Sequence, residues 1–182
     1  MTTTHERSLT ATGILDTPEI RVDGRGKVSG ETKYTADIHL PNMLWAAYVR
    51  SPYAYARIRG IDTTAAKAVP GVKAVLTWHD IGKRRFGRQL FDWPVLCWDV
   101  VRFIGDRVSV VAAETQAAAD AAAALVEVDY EELEPVLTPA AALAPDAPVL
   151  HPEWHDYRYL AYLDTPKPRY SHPNMQARTL YE

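Results

Sequence analysis

Cysteine is nearly absent from this chain: Cys97 stands alone among 182 residues. A single thiol excludes an internal disulfide framework, and it excludes an iron–sulfur cluster held by cysteines of this chain. Its neighbours in Pro94-Val95-Leu96-Cys97-Trp98 are apolar, so Cys97 is expected to be an inert, partly buried small hydrophobe rather than a reactive thiol. A basic excess is missing too. With 20 Lys and Arg against 23 Asp and Glu, a net charge of -3 leaves no surplus of cations to displace counterions from a phosphate backbone, and no nucleic-acid partner is expected. Long apolar runs are also lacking. Residues 116–126 are rich in alanine but interrupted by Asp120 and too short to cross a bilayer, so no membrane role is expected. Residues 1–8 carry Thr, His, Glu and Arg without the apolar stretch of a signal peptide, which makes the cytoplasm the expected location.

What is present reads as one globular domain with appendages, since 47% hydrophobic residues at this length suffice for one solid core. Residues 1–20, polar and containing Pro18, form a flexible N-terminal arm. The glycines of Asp23-Gly24-Arg25-Gly26-Lys27-Val28-Ser29-Gly30 imply tight turns; without a strand before or a helix after, this is no phosphate loop. Residues 43–50 read as a buried strand. Residues 55–61 alternate Tyr55, Arg57 and Arg59 against Ala56, Ile58 and Gly60, as a half-exposed strand does. Thr63 or Thr64 caps a short helix ended by Pro70-Gly71, and residues 72–77 form a third strand. The pattern repeats: a strand over 107–113, a helix capped by Thr115 and running to Leu125, and a strand over 126–130. The helix face of Ala118, Ala119, Ala122 and Ala123 gains little apolar area per residue, but it lets a helix backbone lie close on a sheet. Residues 131–148 turn acidic, then hold a short helix between prolines.

Two clusters of titratable groups bear on chemistry. His151 and His155 are four apart, but Pro152 argues against the helix that would align them on a metal, and no paired cysteines support such a site. Glu127, Asp129 and Glu131 fall on one side of a strand that reads as a solvated edge, where charge discourages unwanted pairing and cannot make a sequestered acid–base pair. No catalytic, cofactor-binding or metal-ligating residue is assigned on these grounds.

A series of short segments carries a resemblance. In order they include Lys27-Val28-Ser29-Gly30, Leu40-Pro41-Asn42-Met43-Leu44, Val49-Arg50-Ser51-Pro52-Tyr53-Ala54, Val69-Pro70-Gly71-Val72, Val101-Arg102-Phe103-Ile104-Gly105 and Ala124-Leu125-Val126-Glu127-Val128-Asp129-Tyr130-Glu131. Together, across about residues 20 to 151, they resemble the N-terminal α/β hammerhead domain of the molybdopterin-binding subunit of xanthine dehydrogenase/aldehyde oxidase-type enzymes, in a split-subunit form. The family pattern often has a histidine soon after the Ser-Pro turn; here Tyr53 and Tyr55 stand instead, so no role of that imidazole carries over. The resemblance implies an α+β fold, a twisted mixed sheet with two packed helices over residues 21–150. It implies a noncatalytic subunit of a multi-subunit molybdenum hydroxylase, binding no cofactor alone. Its expected partners are a molybdopterin-binding large subunit, an iron–sulfur subunit with two-iron clusters and, in many relatives, an FAD subunit. The alternative is a stand-alone interaction or assembly protein of the same fold.

Two regions are candidates for an interface. The glycine-punctuated basic loop with Arg84, Arg85, Phe86 and Arg88, followed by Phe91 and Trp93, combines arginines and aromatics suited to docking an acidic surface or lining a substrate funnel, a plain solvated loop being the alternative. The C-terminal stretch 151–182, with Trp154, Tyr157, Tyr159, Tyr162, Tyr170 and Tyr181, has too much apolar area to stay solvated; it either wraps a partner or folds back over its own sheet.

Overall fold

The computed structural model describes residues 21–88, 90–159 and 172–175 and comprises two units, residues 1–41 and 42–182. In the first, the segment expected as bare turns forms a short helix, α1 (Gly24–Ser29). Asp23 pairs with Lys27 one turn on and with Arg21, which together hold its carboxyl below the usual range. Gly30 ends the helix at φ 77°, a left-handed conformation that glycine takes without a Cβ clash. A 3-10 turn over Thr35–Asp37 follows, in which the Asp37 carboxylate accepts the Tyr34 N–H at 3.0 Å.

The second unit runs, in chain order, through β1 (Trp45–Arg50), β2 (Ala56–Asp62), α2 (Thr64–Lys67), β3 (Val72–Leu76), α3 (Trp78–Ile81), β4 (Arg85–Phe86), β5 (Leu90–Phe91) and β6 (Trp93–Pro94). It continues with β7 (Val100–Val101), β8 (Arg107–Ala113), α4 (Gln116–Ala124), β9 (Glu127–Glu132), α5 (Pro139–Ala142) and β10 (Arg158–Tyr159). The class is α+β. The strands expected to share one sheet divide between two, ordered β1-β8-β3 and β7-β2-β9, with every pair antiparallel. Each strand–helix–strand unit therefore crosses from one sheet to the other: β2 and β3 lie in different sheets, as do β8 and β9.

Helix α4 lies on the first sheet. Ala119 and Ala122 are fully buried, packed with Ala47 and Ala113 on one side and with Ala66, Val75 and Val111 on the other. Each alanine methyl contributes only about 0.8 kcal/mol, but its small size lets the helix seal the larger valines beneath it, each worth roughly 1.5–3 kcal/mol. Thr115 Oγ1 accepts the Ala118 N–H at 3.1 Å and starts the helix as expected. Thr63 takes the N-cap position of α2 without a side-chain cap bond; the Asp62 carboxylate accepts the Thr64 N–H instead, at 2.8 Å. The sequence reading missed α3, whose start is a reciprocal cap: Thr77 Oγ1 accepts the His79 N–H at 3.3 Å, and Asp80 Oδ2 accepts the Thr77 N–H at 2.7 Å.

Strand β1 is not buried on both faces. It is an edge strand: Ala47 points into the α4 core, whereas Tyr48 and Arg50 point out on the uncovered face. Strand β9 is likewise an edge, with Glu127 and Asp129 exposed as the alternation requires.

Candidate docking site

The basic loop is a strand pair rather than a coil. β4 pairs antiparallel with β6, matching Arg85 to Pro94 and Phe86 to Trp93, while β5 pairs with β10, matching Phe91 to Arg158 and Leu90 to Tyr159. Glycine makes this possible. A side chain at Gly87 would collide with the Leu90 carbonyl, so the bend between β4 and β5 packs backbone on backbone.

The register fixes where the arginines and aromatics go. The Arg85 guanidinium lies between two rings, 4.7 Å from Trp98 and 4.8 Å from Tyr157, and 3.6 Å from Glu153 Oε1. Arg102 approaches the other Glu153 oxygen at 3.8 Å and donates its Nε–H to the Leu150 carbonyl at 2.8 Å. That second carboxylate oxygen is buried without a hydrogen-bond partner among the described residues. Tyr157 is only 4% exposed, and its hydroxyl meets His151 Nδ1 at 2.7 Å. Burial, then the nearby Arg102, holds the His151 imidazole below its ordinary range, so it is neutral at pH 7. Burial likewise pushes the Tyr157 phenol up. Asn174 adds a clamp, accepting the Leu150 N–H at 2.9 Å and donating to the Ala142 and Pro148 carbonyls at 3.0 and 2.9 Å.

Arg85 and Tyr157 thus meet inside this chain. Phe91 is half-buried under Arg158 at 5.6 Å, and Trp154 is half-buried with its ring tilted against His155, centroids 3.6 Å apart. Phe86 is half-buried between Arg107 at 4.8 Å and Trp93 at 5.7 Å. Arg84, Arg88 and Trp93 face outward, Trp93 with 52% of its surface exposed. Tyr159 joins through its backbone, and Tyr162, Tyr170 and Tyr181 lie outside the described residues. The sequence reading missed Glu153, Arg102 and Trp98, which gather around Arg85, and Asn174, which clamps the backbone at Ala142, Pro148 and Leu150; none carries a local signature.

The remaining candidates are quiet. Cys97 is 1% exposed, and burial followed by the Asp106 charge pushes its thiol up, so it stays protonated. Glu131 is held by Arg57 at 3.1 Å and Arg59 at 3.2 Å, with Arg59 the larger cause of its lowered pKa.

Two three-stranded antiparallel sheets joined by strand–helix–strand connections, with an alanine helix on one of them, fit an α/β hammerhead. The family model described as aldehyde oxidase and xanthine dehydrogenase, a/b hammerhead domain, matches residues 29–134, and the chain belongs to that family, the xanthine oxidase-type molybdenum hydroxylases. It is 46% identical over 140 residues to a probable xanthine dehydrogenase subunit of Bacillus subtilis, covering 76% of this chain and 19% of that one. It is 40% identical to the nicotinate dehydrogenase large molybdopterin subunit of Eubacterium barkeri, covering 83% of this chain and 36% of that subunit. Among solved structures, CO dehydrogenase from Oligotropha carboxidovorans superimposes with a TM-score of 0.68 at 38% identity, covering 74% of this chain and 17% of that one. The chain therefore spans well under half the length of the relatives it matches.

Proposed function

We propose that this chain is the hammerhead subunit of a multi-subunit molybdenum hydroxylase and serves structurally, docking onto a molybdopterin-binding large subunit. An iron–sulfur chain, and in many assemblies an FAD chain, would complete the complex. Such an assembly takes oxygen from water, oxidises a carbon substrate and passes the electrons to the clusters. The observation that carries the reading is the family match: residues 29–134 fit the aldehyde oxidase and xanthine dehydrogenase hammerhead domain, and several relatives are themselves named as subunits or chains of such enzymes. Among the described residues no group of three or more His, Cys, Asp and Glu side chains is placed to hold a metal ion, and Cys97 is buried and protonated. No described helix is long and apolar enough to cross a membrane, and we place the complex in the cytoplasm.

For the docking contact, Trp93 of β6 and Arg84 and Arg88, which flank β4, are exposed and offer stacking and bidentate groups to an acidic surface. Native purification of the chain tests the reading. Co-purification with a large chain carrying molybdenum, and with iron–sulfur absorbance, is expected. A colourless chain free of partners overturns it and favours a stand-alone interaction protein.

A further inference from the structure

Residues 151–159 are fastened to the domain by contacts unlike those that build its core. Strand β1 meets β8 along all six of its residues, over a core of valines and alanines. The 151–159 stretch has a ladder of only two residues, Arg158 against Phe91 and Tyr159 against Leu90. Its other fastenings are ionisable side chains: Glu153 between Arg85 and Arg102, the Tyr157 ring on the Arg85 guanidinium, and the Tyr157 hydroxyl on His151. A short ladder opens at little cost, and a segment held by charge answers to protons in a way that buried apolar surface does not.

Charge around His151 balances only while its imidazole is neutral. The charged groups that act most strongly on it are Arg102, which follows β7, Asp92, which lies between β5 and β6, Glu153 of the stretch itself, and Arg85 of β4: two cations against two carboxylates. A proton on the ring makes three cations against two in a site from which water is largely shut out, Tyr157 being 4% exposed. The same proton occupies Nδ1, which in the neutral ring accepts the Tyr157 O–H at 2.7 Å. One protonation therefore weakens both the charge balance and the hydrogen bond that hold Tyr157 against Arg85.

We propose that residues 151–159 form an acid-released strap: uptake of one proton by His151 frees Glu153, Tyr157 and β10 from the domain and uncovers Arg85, Arg102 and the β5 edge. Burial and then Arg102 resist the imidazolium while the strap is closed, whereas an open strap leaves His151 in water to take its proton at the ordinary value. The strap is thus closed above about pH 6.5 and opens as pH falls from there toward the midpoint of the native imidazole. Within that window its opening constant rises by at most about tenfold per pH unit, the limit for one proton. Closed, the Arg85 and Arg102 side chains are 22% and 16% exposed, so opening turns a covered pair of cations outward. The device is internal to the chain and does not rest on the docking reading.

Hydrogen exchange of the full chain, read by mass spectrometry between about pH 7.5 and pH 5 and corrected for the intrinsic pH dependence of exchange, tests it. The 151–159 peptide is expected to keep its protection above about pH 6.5 and to lose up to about tenfold per pH unit below, while the β8 peptide keeps its own. In His151→Gln the protection of 151–159 is expected not to vary with pH. The native imidazole, titrated by NMR, is expected to have its midpoint below that of the unfolded chain, and the loss of protection to level off there. Protection that is constant in the wild type, or lost in step with β8, overturns the inference. A pH dependence that survives in His151→Gln, or a native midpoint at or above the unfolded one, overturns it as well. If His151→Gln is unprotected at every pH, the wild-type measurements decide: agreement between the imidazole midpoint and the levelling-off sustains the inference, and disagreement overturns it.

Discussion

The two faces of one small sheet contrast sharply. Under α4, alanines 119 and 122 bring a helix down onto Val75, Val111 and Ala113 and leave none of them more than 3% exposed. On the opposite face the same strands show Tyr48, Leu76, Val110 and Ala112 to solvent. The first face makes the domain fold; the second leaves apolar side chains partly in contact with water, which adds nothing to the stability of the isolated chain. A surface can thus be apolar for a reason that the stability of the chain alone does not supply.

Substitution within neighbouring residues of β8 tests this contrast most severely. Val111→Ala, which opens a void beneath α4, is expected to cost about 2–3 kcal/mol in urea unfolding, and Val110→Ala less than about 1 kcal/mol. Equal losses would break the contrast. Next in size, Glu153→Ala strips Arg85 and Arg102 of their shared carboxylate. Because the Glu153 side chain is 30% exposed, the expected loss is roughly 1–2 kcal/mol rather than that of a fully buried pair. A loss of that size read by thermal melting would show that the 151–159 stretch is part of the folded unit; no change would show it detachable.

The pH dependence is smaller. Burial holds the folded-state His151 pKa below its ordinary 6.5, so the unfolded chain takes up a proton that the folded chain refuses. Stability from this residue is full above about pH 6.5 and declines as pH falls toward the folded-state value. His151→Gln should flatten that decline in melting temperature between about pH 7 and pH 5.5; an unchanged slope would assign it to other groups. Smallest of all, Tyr48→Ala should alter the free chain's stability by no more than about 0.5 kcal/mol in urea unfolding.

Much of the fold was legible. Alternation marked β2 and β9, Thr115 and the alanine stripe marked α4, and prolines bracketed α5, because each signal lies within a window of a few residues. The one-sided burial of β1 was not legible: the run from Trp45 to Arg50 is apolar enough for a strand covered on both faces, and only the placement of α4 on the Ala47 side leaves Tyr48 and Arg50 exposed on the other. The candidate interface divided in the same way. Arg84, Arg88 and Trp93 were named from composition and are outward-facing, whereas Arg85 and Tyr157, named alongside them, are consumed by each other and by Glu153.

The α+β class, the family, the Thr115 cap and the charge pattern were all readable along the chain, since they depend on neighbouring residues and on the order of short segments. Long-range packing settled the rest: which strands share a sheet, that the first sheet has one covered and one open face, and that the opening of the C-terminal stretch is fastened to Arg85. Those outcomes depend on contacts between residues tens of positions apart, where the choice of partner is set by which surfaces pack and which charges can be paired on burial.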